Sequence, residues 1–442
     1  MKNDRCGPDG RRPGIYHGWL VVAAAFLVGA FGFGLGFYGP GIYLVALKAG
    51  HGWSAAGLSA AITAYYVLGA ALLFCCVGAL FDRYGARAVV TAGAAAMACG
   101  VVLLTLAARP WQVYAAFAVM SFGWATMSGA AINIIVAPWF DRRRGLAVSW
   151  GLNGGSAGGI VFAPLLTFLI ARFGFTVALD MAAVAMLAVL VPVALSVLRR
   201  KRDGEGDPAD CTIAGASAPA ARSTAAAPHW DLRETLRSRS FLTISVPFAL
   251  GMTAQVGFLT HQMAFLTPAL GAVGAGWAIS LTTSAAVLGR IAIGMIVDRV
   301  DRRAVSCANF LVEGLALAIL ATAHKTGMLY LGCALFGFGV GNMTSLPGLI
   351  VQQEFPRQHF SRVVSLVVAI NQFSFAFGPS LLGQLRQAQG DYTAALILCI
   401  VLQAAAAVVV LGRLPPIAPR RQRQMSVPLT GPAPIRHDAG RR

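Results

Sequence analysis

A single arginine interrupts a long apolar stretch of this chain, and its side chain is suited to binding an anion. Arg290 lies in the stretch 275–297, eight positions before Asp298, which corresponds to about 12 Å along a helix. An unpaired guanidinium is costly to bury in a membrane, so such a residue faces a partner or a water-filled cavity. Its planar fork matches the two oxygens of a carboxylate. The sequence therefore predicts a carboxylate site at Arg290, and an arginine bonded only to backbone carbonyls is the alternative.

Two titratable side chains in other apolar stretches are candidates for carrying a proton. His261 lies nine residues before the end of the stretch 239–270, and an imidazole gains and loses a proton near neutral pH. Glu313 lies in the middle of the stretch 304–323. A structural histidine and a locally paired glutamate are the alternatives.

Neutral hydrogen-bonding side chains also occur inside the apolar stretches, where they could line a substrate cavity. Packing between helices is the alternative for each of them. The predicted substrate contacts of this kind are Tyr38, Tyr66, Asn133, Asn342 and Asn371.

A charged ten-residue pattern occurs twice, at 78–87 and at 294–303, 216 positions apart. Parallel repeats of this kind are how many secondary transporters are built. Charge-assisted pairs between the aspartates and arginines of such a motif can hold one side of a membrane protein closed. Merely ending the helices and orienting the chain is the alternative role. The predicted gating residues are Gly78, Asp82, Arg83, Gly85 and Arg87 in the first copy and Gly294, Asp298, Arg299 and Arg302 in the second.

The two halves of the repeat differ at two informative positions. Asp301 replaces the glycine that matches Gly85, so the tight turn expected at Gly85 is not expected in the second copy. Phe74 stands at the position that matches Arg290. An arginine needed only for the architecture of the repeat would occur in both halves, so this difference favours a functional Arg290.

The composition is that of a membrane protein. Hydrophobic residues make up 57% and charged residues 12%, and the mean hydropathy is +0.68, which is too apolar for a soluble domain of this size. A helix needs about 20 mostly apolar residues to cross a bilayer. The twelve stretches that meet this need are 16–46, 54–80, 88–108, 111–137, 143–171, 176–198, 239–270, 275–297, 304–323, 326–352, 361–386 and 391–412.

The net charge of +18 is distributed as expected for a membrane protein and not for a nucleic-acid-binding one. If the N-terminus lies inside, the inner segments hold 29 Lys and Arg and the outer loops hold 5. This asymmetry predicts that both termini and the central loop are cytoplasmic. The eight cysteines show no metal-ligand spacing, so we expect neither a metal site nor disulfides.

The pattern of apolar stretches divides the chain into two halves joined by a polar segment. That segment contains a basic cluster followed by Ala-, Ser- and Pro-rich sequence, which cannot bury a core. The predicted divisions are a leader at 1–15, a six-helix bundle at 16–198, a flexible linker at 199–238, a six-helix bundle at 239–413 and a basic, disordered tail at 414–442.

Several of these motifs resemble those of known transporter families. The pattern at 78–87, with its partner at 294–303, resembles the signature of the major facilitator superfamily, and the resemblance extends over about residues 15 to 413. The sequence from Trp139 to Ala147, continued by Gly151-Leu152-Asn153, resembles the monocarboxylate-porter and oxalate/formate-antiporter families. The resemblance implies an all-α membrane fold of twelve transmembrane helices in two pseudo-symmetric six-helix bundles. It also places the substrate arginine at Arg290.

Departures from these families bear on both proton handling and the substrate. Gly41 stands where the animal carriers have a lysine, and Ala286 stands where they have an aspartate, so the proton handling of those carriers does not transfer to this chain. The oxalate-type relatives use a lysine in the eleventh span, yet residues 361–386 contain none, which favours a singly charged acid.

We therefore expect a secondary active transporter of a small monocarboxylate that works by alternating access and is linked to protons. The alternatives are an organic anion exchanger of the oxalate/formate type and an exporter of drugs or hydrophobic compounds. A membrane sensor or a membrane enzyme fits less well, because the spans hold no clustered catalytic residues and no ATP-binding loop. We expect no cofactor, a monomer, a proton or counter-anion as partner, and a location in a bacterial inner membrane.

Overall fold

The computed structural model describes residues 16–140, 144–199, 232–297, 299–355 and 360–412. These residues are almost entirely helical and include no strand. Nine of the helices are long and apolar enough to cross a membrane. Two of the nine contain two spans each, and Thr326–Val340 begins one further span. The predicted twelve-span, all-α architecture is thus confirmed.

The first half contains spans 1 to 6. Span 1 continues through a π-helical turn, and span 4 is interrupted at Ser128. The helices of this half are His17–Phe33, Gly34–Tyr38 and Gly39–His51 in span 1; Ala55–Leu72, Leu73–Val77 and the start of Gly78–Thr105 in span 2, with the rest of Gly78–Thr105 as span 3; Pro110–Met127, Gly129–Val136 and Ala137–Trp139 in span 4; Arg144–Phe173 as span 5; and Phe175–Val197 as span 6.

The second half contains spans 7 to 12 and is preceded by a short helix, Leu232–Arg237. The helices of this half are Arg239–Ile296, which holds spans 7 and 8; Arg302–Thr322 as span 9; Thr326–Val340 and Leu346–Glu354 in span 10; Phe360–Phe375 and Gly378–Gln389 in span 11; and Thr393–Val410 as span 12. The domain boundaries stay a prediction, because residues 1–15, 200–231 and 413–442 lie outside the described residues.

Left-handed glycines make two of the sharp turns between consecutive spans. Gly85 has φ 78° between spans 2 and 3, and Gly271 has φ 71° between spans 7 and 8. A side chain at either position would be strained, which explains the glycines. The turn between spans 8 and 9 is built differently, because Asp301 has φ −59° and its side chain accepts a hydrogen bond from the Arg303 backbone N–H. Asp301 is thus a helix cap in place of a glycine turn.

Both halves begin and end at the same membrane face because each contains an even number of spans. We call the face at residues 16, 199, 239 and 412 the proximal face and the opposite one the distal face. Several described contacts join the halves in the distal part of the bundle. The Ser380 backbone N–H donates to the Thr63 hydroxyl at 3.1 Å, and the Tyr66 and Phe375 rings meet edge to face.

A buried arginine ties four spans of the second half together at the proximal face. Arg303 is 5% exposed, and its guanidinium pairs with both carboxylate oxygens of Glu354, at 2.5 and 2.8 Å. It also donates to the Thr243 hydroxyl at 3.0 Å and the Val410 carbonyl at 2.7 Å. Spans 9, 10, 7 and 12 therefore share one charged hub. We expect this hub to make the second half move as one body.

Replacing Arg303 by glutamine should destabilise the protein markedly. The change leaves the Glu354 carboxylate, whose side chain is 25% exposed, without its partner. A hydrogen bond to a charged group contributes about 1.5–3 kcal/mol. Thermal denaturation of the purified protein in detergent should show the loss, whereas replacing the exposed Arg299 by glutamine should leave the transition almost unchanged. Equal transitions for both variants would contradict the hub.

Candidate functional site

Arg290 lies where the two halves of the protein meet. Its Nε donates to the Gly341 carbonyl of span 10 at 3.0 Å, and its Nη1 donates to Oδ1 of Asn153 in span 5 at 3.0 Å. The side chain is half-buried, and its Nη2 has no hydrogen-bond partner among the described residues. The guanidinium therefore holds a fixed position and keeps donors free for a ligand.

Close backbone packing fixes the second-half side of this site. A Cβ added at Gly289 would lie 2.0 Å from the Phe338 carbonyl oxygen, and one added at Gly341 would lie 2.0 Å from the Ala286 carbonyl oxygen. Only glycine allows spans 8 and 10 to approach this closely. The carbonyl that receives the Arg290 Nε–H is consequently held on the same rigid pair of helices as the arginine itself.

Glycines also fix the first-half side of the site, where they hold span 5 against span 1 of the same half. A Cβ at Gly154 would lie 2.0 Å from the Phe26 carbonyl oxygen, and one at Gly158 would lie 2.3 Å from that of Ala30. Spans 1 and 5 are thus packed backbone to backbone, and Asn153 moves with them. Gly159 is different, because it meets Thr283 of the other half.

Tyr38 closes a third side of the site. It ends the π-helical turn of span 1, and its ring lies against Gly159, where an added Cβ would be 2.6 Å from Tyr38 Cε2. Thr283, two helical turns before Arg290, contacts the same glycine. The Phe37 ring contacts the rings of both Tyr38 and Tyr66. The structure thus brings Tyr38 and Tyr66 together, and the Tyr66 hydroxyl donates to the Phe37 carbonyl at 3.3 Å.

The three asparagines predicted to contact substrate occupy different surroundings. Asn342 adjoins Gly341 in the chain, but its buried side chain donates to Asn309 Oδ1 at 3.1 Å, within the second half. Asn133 is exposed and donates to the Gly129 carbonyl of its own helix at 2.9 Å. Asn371 is 4% exposed, and its Oδ1 has no partner among the described residues. A substrate role for these three stays a prediction.

Glu313 lies in a buried network of amide side chains. Its carboxylate oxygens accept from Gln403 Nε2 at 2.7 Å and from Asn309 Nδ2 at 3.2 Å. Asn342 extends the network from Asn309 towards Gly341, whose carbonyl accepts from Arg290. The carboxyl is fully buried, and no cation lies within ion-pair distance of it in the part of the chain that the structure describes. Glu313 is therefore held by neutral donors.

His261 joins the two halves near the distal face. Its Nε2 lies 3.0 Å from the Pro379 carbonyl and 3.2 Å from the Ser59 hydroxyl, and its Nδ1 lies 3.1 Å from the Tyr392 hydroxyl. A carbonyl can only accept, so Nε2 carries a proton and Nδ1 of the neutral ring accepts from Tyr392. His261 thus contacts both spans 2 and 11, which belong to different halves.

The residues of the predicted gating motif lie at the proximal ends of spans 2, 3, 8 and 9. Asp82, Arg83, Arg87 and Arg299 are exposed, and Asp298 lies outside the described residues. The Arg302 guanidinium donates to the Leu349 carbonyl of span 10. A gating role stays a prediction, while Gly85 makes the expected tight turn.

Three polar residues important to this geometry were not among the predicted site residues. Asn153 was noted only as part of a family motif, and Asn309 and Gln403 were not singled out. A polar residue inside an apolar span was the signal available in each case. Among the described residues, no group of three or more His, Cys, Asp or Glu side chains could hold a metal ion.

Solved structures of transporters have the same fold. A mutant of the nucleoside transporter NupG matches with a TM-score of 0.68 and 14% identity, covering 88% of this chain and 98% of that one. A bacterial homologue of the human lysosomal transporter Spinster, inward-facing and unoccupied, matches with a TM-score of 0.66 and 13% identity, covering 91% and 97%. At these identities the similarity concerns the fold alone.

The curated proteins with similar sequences include mammalian monocarboxylate transporters and fungal transporters of the major facilitator type. Monocarboxylate transporter 11 of Mus musculus is 28% identical over 414 residues, covering 86% of this chain and 84% of that protein. MFS transporter asaE of Aspergillus flavus is 24% identical over 323 residues, covering 72% and 68%. The Fujikurins efflux protein of Gibberella fujikuroi is 27% identical over 308 residues, covering 68% and 62%.

The sequence model of the major facilitator superfamily matches residues 24–273 and 262–438, which together span most of the chain. The two matches overlap at residues 262–273, and the twelve-span fold agrees with this family. This multi-pass membrane protein, a transporter by its relatives, therefore belongs to the major facilitator superfamily.

Proposed function

We propose that this protein carries a small organic monocarboxylate across the membrane by alternating access around Arg290, with uptake linked to protons. The observation that carries the proposal is the partly exposed guanidinium held between the halves, with donors still available. A carboxylate bound there accepts two charge-assisted hydrogen bonds in the geometry that arginine favours. The similarity to a monocarboxylate transporter supports the same substrate class.

The surroundings of the guanidinium favour one negative charge on the substrate. The described hydrogen-bond partners of Arg290 are a backbone carbonyl and an asparagine, so no second cation accompanies it there. A dicarboxylate would bring a second charge into a region lined by neutral groups, at a cost in desolvation. A monocarboxylate leaves a neutral pair.

Uptake into proteoliposomes tests the proposal. Labelled acetate, lactate, pyruvate and benzoate would be compared with the dicarboxylates oxalate and succinate, each with and without an inward proton gradient. Saturable uptake of at least one monocarboxylate is expected, with little uptake of the dicarboxylates. Uptake of none of the four monocarboxylates would overturn the proposal.

Export of hydrophobic compounds is a second candidate, and it rests on the similarity to a fungal efflux protein. Competition distinguishes the two functions. Hydrophobic compounds without a carboxylate should not inhibit monocarboxylate uptake if Arg290 defines the site. Strong inhibition by their uncharged forms would favour the exporter.

We further propose that the proximal face is cytoplasmic, because the segments at that face hold 29 of the Lys and Arg residues. Reporter fusions at residue 215 and at the C-terminus should both signal cytoplasm. A fusion within the loop at 323–325 should signal the outside. An external signal at either of the first two positions would reverse the orientation.

A further inference from the structure

The contact between Arg290 and Asn153 crosses the boundary between the halves at the predicted substrate site. Nη1 of Arg290 lies 3.0 Å from Oδ1 of Asn153. Alternating access requires the halves to move against each other. A hydrogen bond across this boundary, located on the group that is to bind the substrate, links occupancy of the site to that movement.

Each partner of this bond is fixed to its own half. Gly289 and Gly341 hold spans 8 and 10 backbone to backbone, and the Gly341 carbonyl fixes the Nε of Arg290. Gly154 and Gly158 hold span 5 against span 1 on the other side. Neither side can follow the other when the halves move, so it is the bond itself that breaks.

The amide of Asn153 resembles one half of a bound carboxylate. Its Oδ1 accepts from the arginine as a carboxylate oxygen would, while its Nδ2 has no hydrogen-bond partner among the described residues. A carboxylate is the stronger acceptor, because charge-assisted hydrogen bonds are roughly twice as strong as neutral ones. A substrate with a carboxylate can therefore replace the amide at Nη1, and a neutral compound cannot.

We propose that Asn153 is a positioning residue that occupies Arg290 in the empty carrier, and that the substrate carboxylate displaces it and so releases the bond between the halves. This inference rests on the proposed function of Arg290. It makes the carboxylate a condition for movement as well as for binding. It also assigns to span 5 a role in holding the empty carrier still.

Two substitutions at Asn153 test the inference. Asn153→Asp places a permanent carboxylate beside Arg290, so it should weaken binding of the labelled monocarboxylate tenfold or more and nearly abolish uptake. Asn153→Leu keeps the size and removes the competitor, so affinity should stay equal or become tighter by up to about tenfold. Gln384→Leu is the control, because that exposed amide bonds only to Ser380 of its own helix in the described structure, and it should change neither quantity.

The measurements are equilibrium binding of the labelled acid to protein in nanodiscs and the ratio of net uptake to exchange in proteoliposomes. The Asn153→Leu carrier should show a raised ratio, because its empty form is no longer held by the bond. A substrate ligand would instead lose affinity in Asn153→Leu, and a residue needed only for packing would lower stability without changing the ratio.

The outcomes distinguish a failure of the inference about Asn153 from a failure of the proposed transport function. If the unmodified protein binds none of the monocarboxylates, the proposed function fails. If it binds one and Asn153→Leu weakens binding tenfold, or Asn153→Asp leaves it unchanged, the inference alone fails. Should the leucine variant not fold, Asn153→Asp decides the matter by itself, since asparagine and aspartate have nearly the same shape.

Discussion

Replacing Arg290 by glutamine is expected to abolish monocarboxylate uptake while the protein still inserts and folds. The glutamine amide can keep a hydrogen bond to Asn153 or to the Gly341 carbonyl, so the packing of spans 8 and 10 survives. It cannot supply a charge. A hydrogen bond to a charged group contributes about 1.5–3 kcal/mol, so loss of one or two weakens affinity by about tenfold to several hundredfold or more.

Lysine at the same position should also impair transport, although it keeps the charge. A lysine ammonium is a point charge and cannot hold the Gly341 carbonyl, the Asn153 amide and a carboxylate in the fixed directions of the guanidinium. Arg172→Gln is the control, because that arginine is exposed at the distal face. Near-normal uptake by Arg290→Gln, at normal protein levels, would show that Arg290 does not bind the substrate.

The second large effect is expected for proton coupling. With internal and external pH equal, uptake should be slow, and an inward proton gradient should accelerate it. His261→Gln should remove this acceleration but leave exchange of labelled for unlabelled acid. The reason lies in its contacts, because a second proton on the ring turns Nδ1 into a donor and forces the Tyr392 hydroxyl to reverse. That change occurs beside the Ser59 contact between the halves.

Glu313→Gln is the matched comparison for His261→Gln. A glutamine has the shape of a protonated glutamate. Gln403 and Asn309 donate to different oxygens of Glu313, so the single oxygen of a glutamine keeps one of these two hydrogen bonds. We therefore expect this variant to keep proton-driven uptake. Loss of the drive in Glu313→Gln with retention in His261→Gln would transfer the coupling role to Glu313. If the proton gradient does not change uptake but unlabelled acid inside the vesicles accelerates it, the protein is an exchanger.

The overall architecture followed from sequence because its determinants are local. Runs of about 20 apolar residues specify a membrane span whatever their neighbours, and the duplicated motif located the two halves. Even a special backbone position was predictable, since Gly85 has the positive φ that its place in the motif requires. The difference at Asp301 was equally visible, and the structure shows a helix cap there.

The partners across the site could not be predicted in the same way. Hydrophobic pattern does not say which face of span 5 meets which face of span 8, so nothing in the sequence joined Asn153 to Arg290. The glycines of span 5 illustrate the point. Gly154 and Gly158 pack against span 1, whereas Gly159 of the same helix meets Thr283 of the other half. Which helix faces meet depends on contacts between segments that are far apart in the sequence.

The unequal halves have a consequence for membrane voltage. Phe74, the counterpart of Arg290 in the repeat, is 83% exposed and carries no charge, so the charge of the site belongs to the second half alone. In exchange, Arg290 changes sides only as a neutral pair with its acid. In net uptake it must also return unpaired and positive, and a whole elementary charge crossing 100 mV costs about 2.3 kcal/mol. On the proposed mechanism the electric field therefore acts on the return of the empty site. We expect the rate of net uptake to depend on voltage for this reason, even though the acid and its proton together carry no net charge across the membrane.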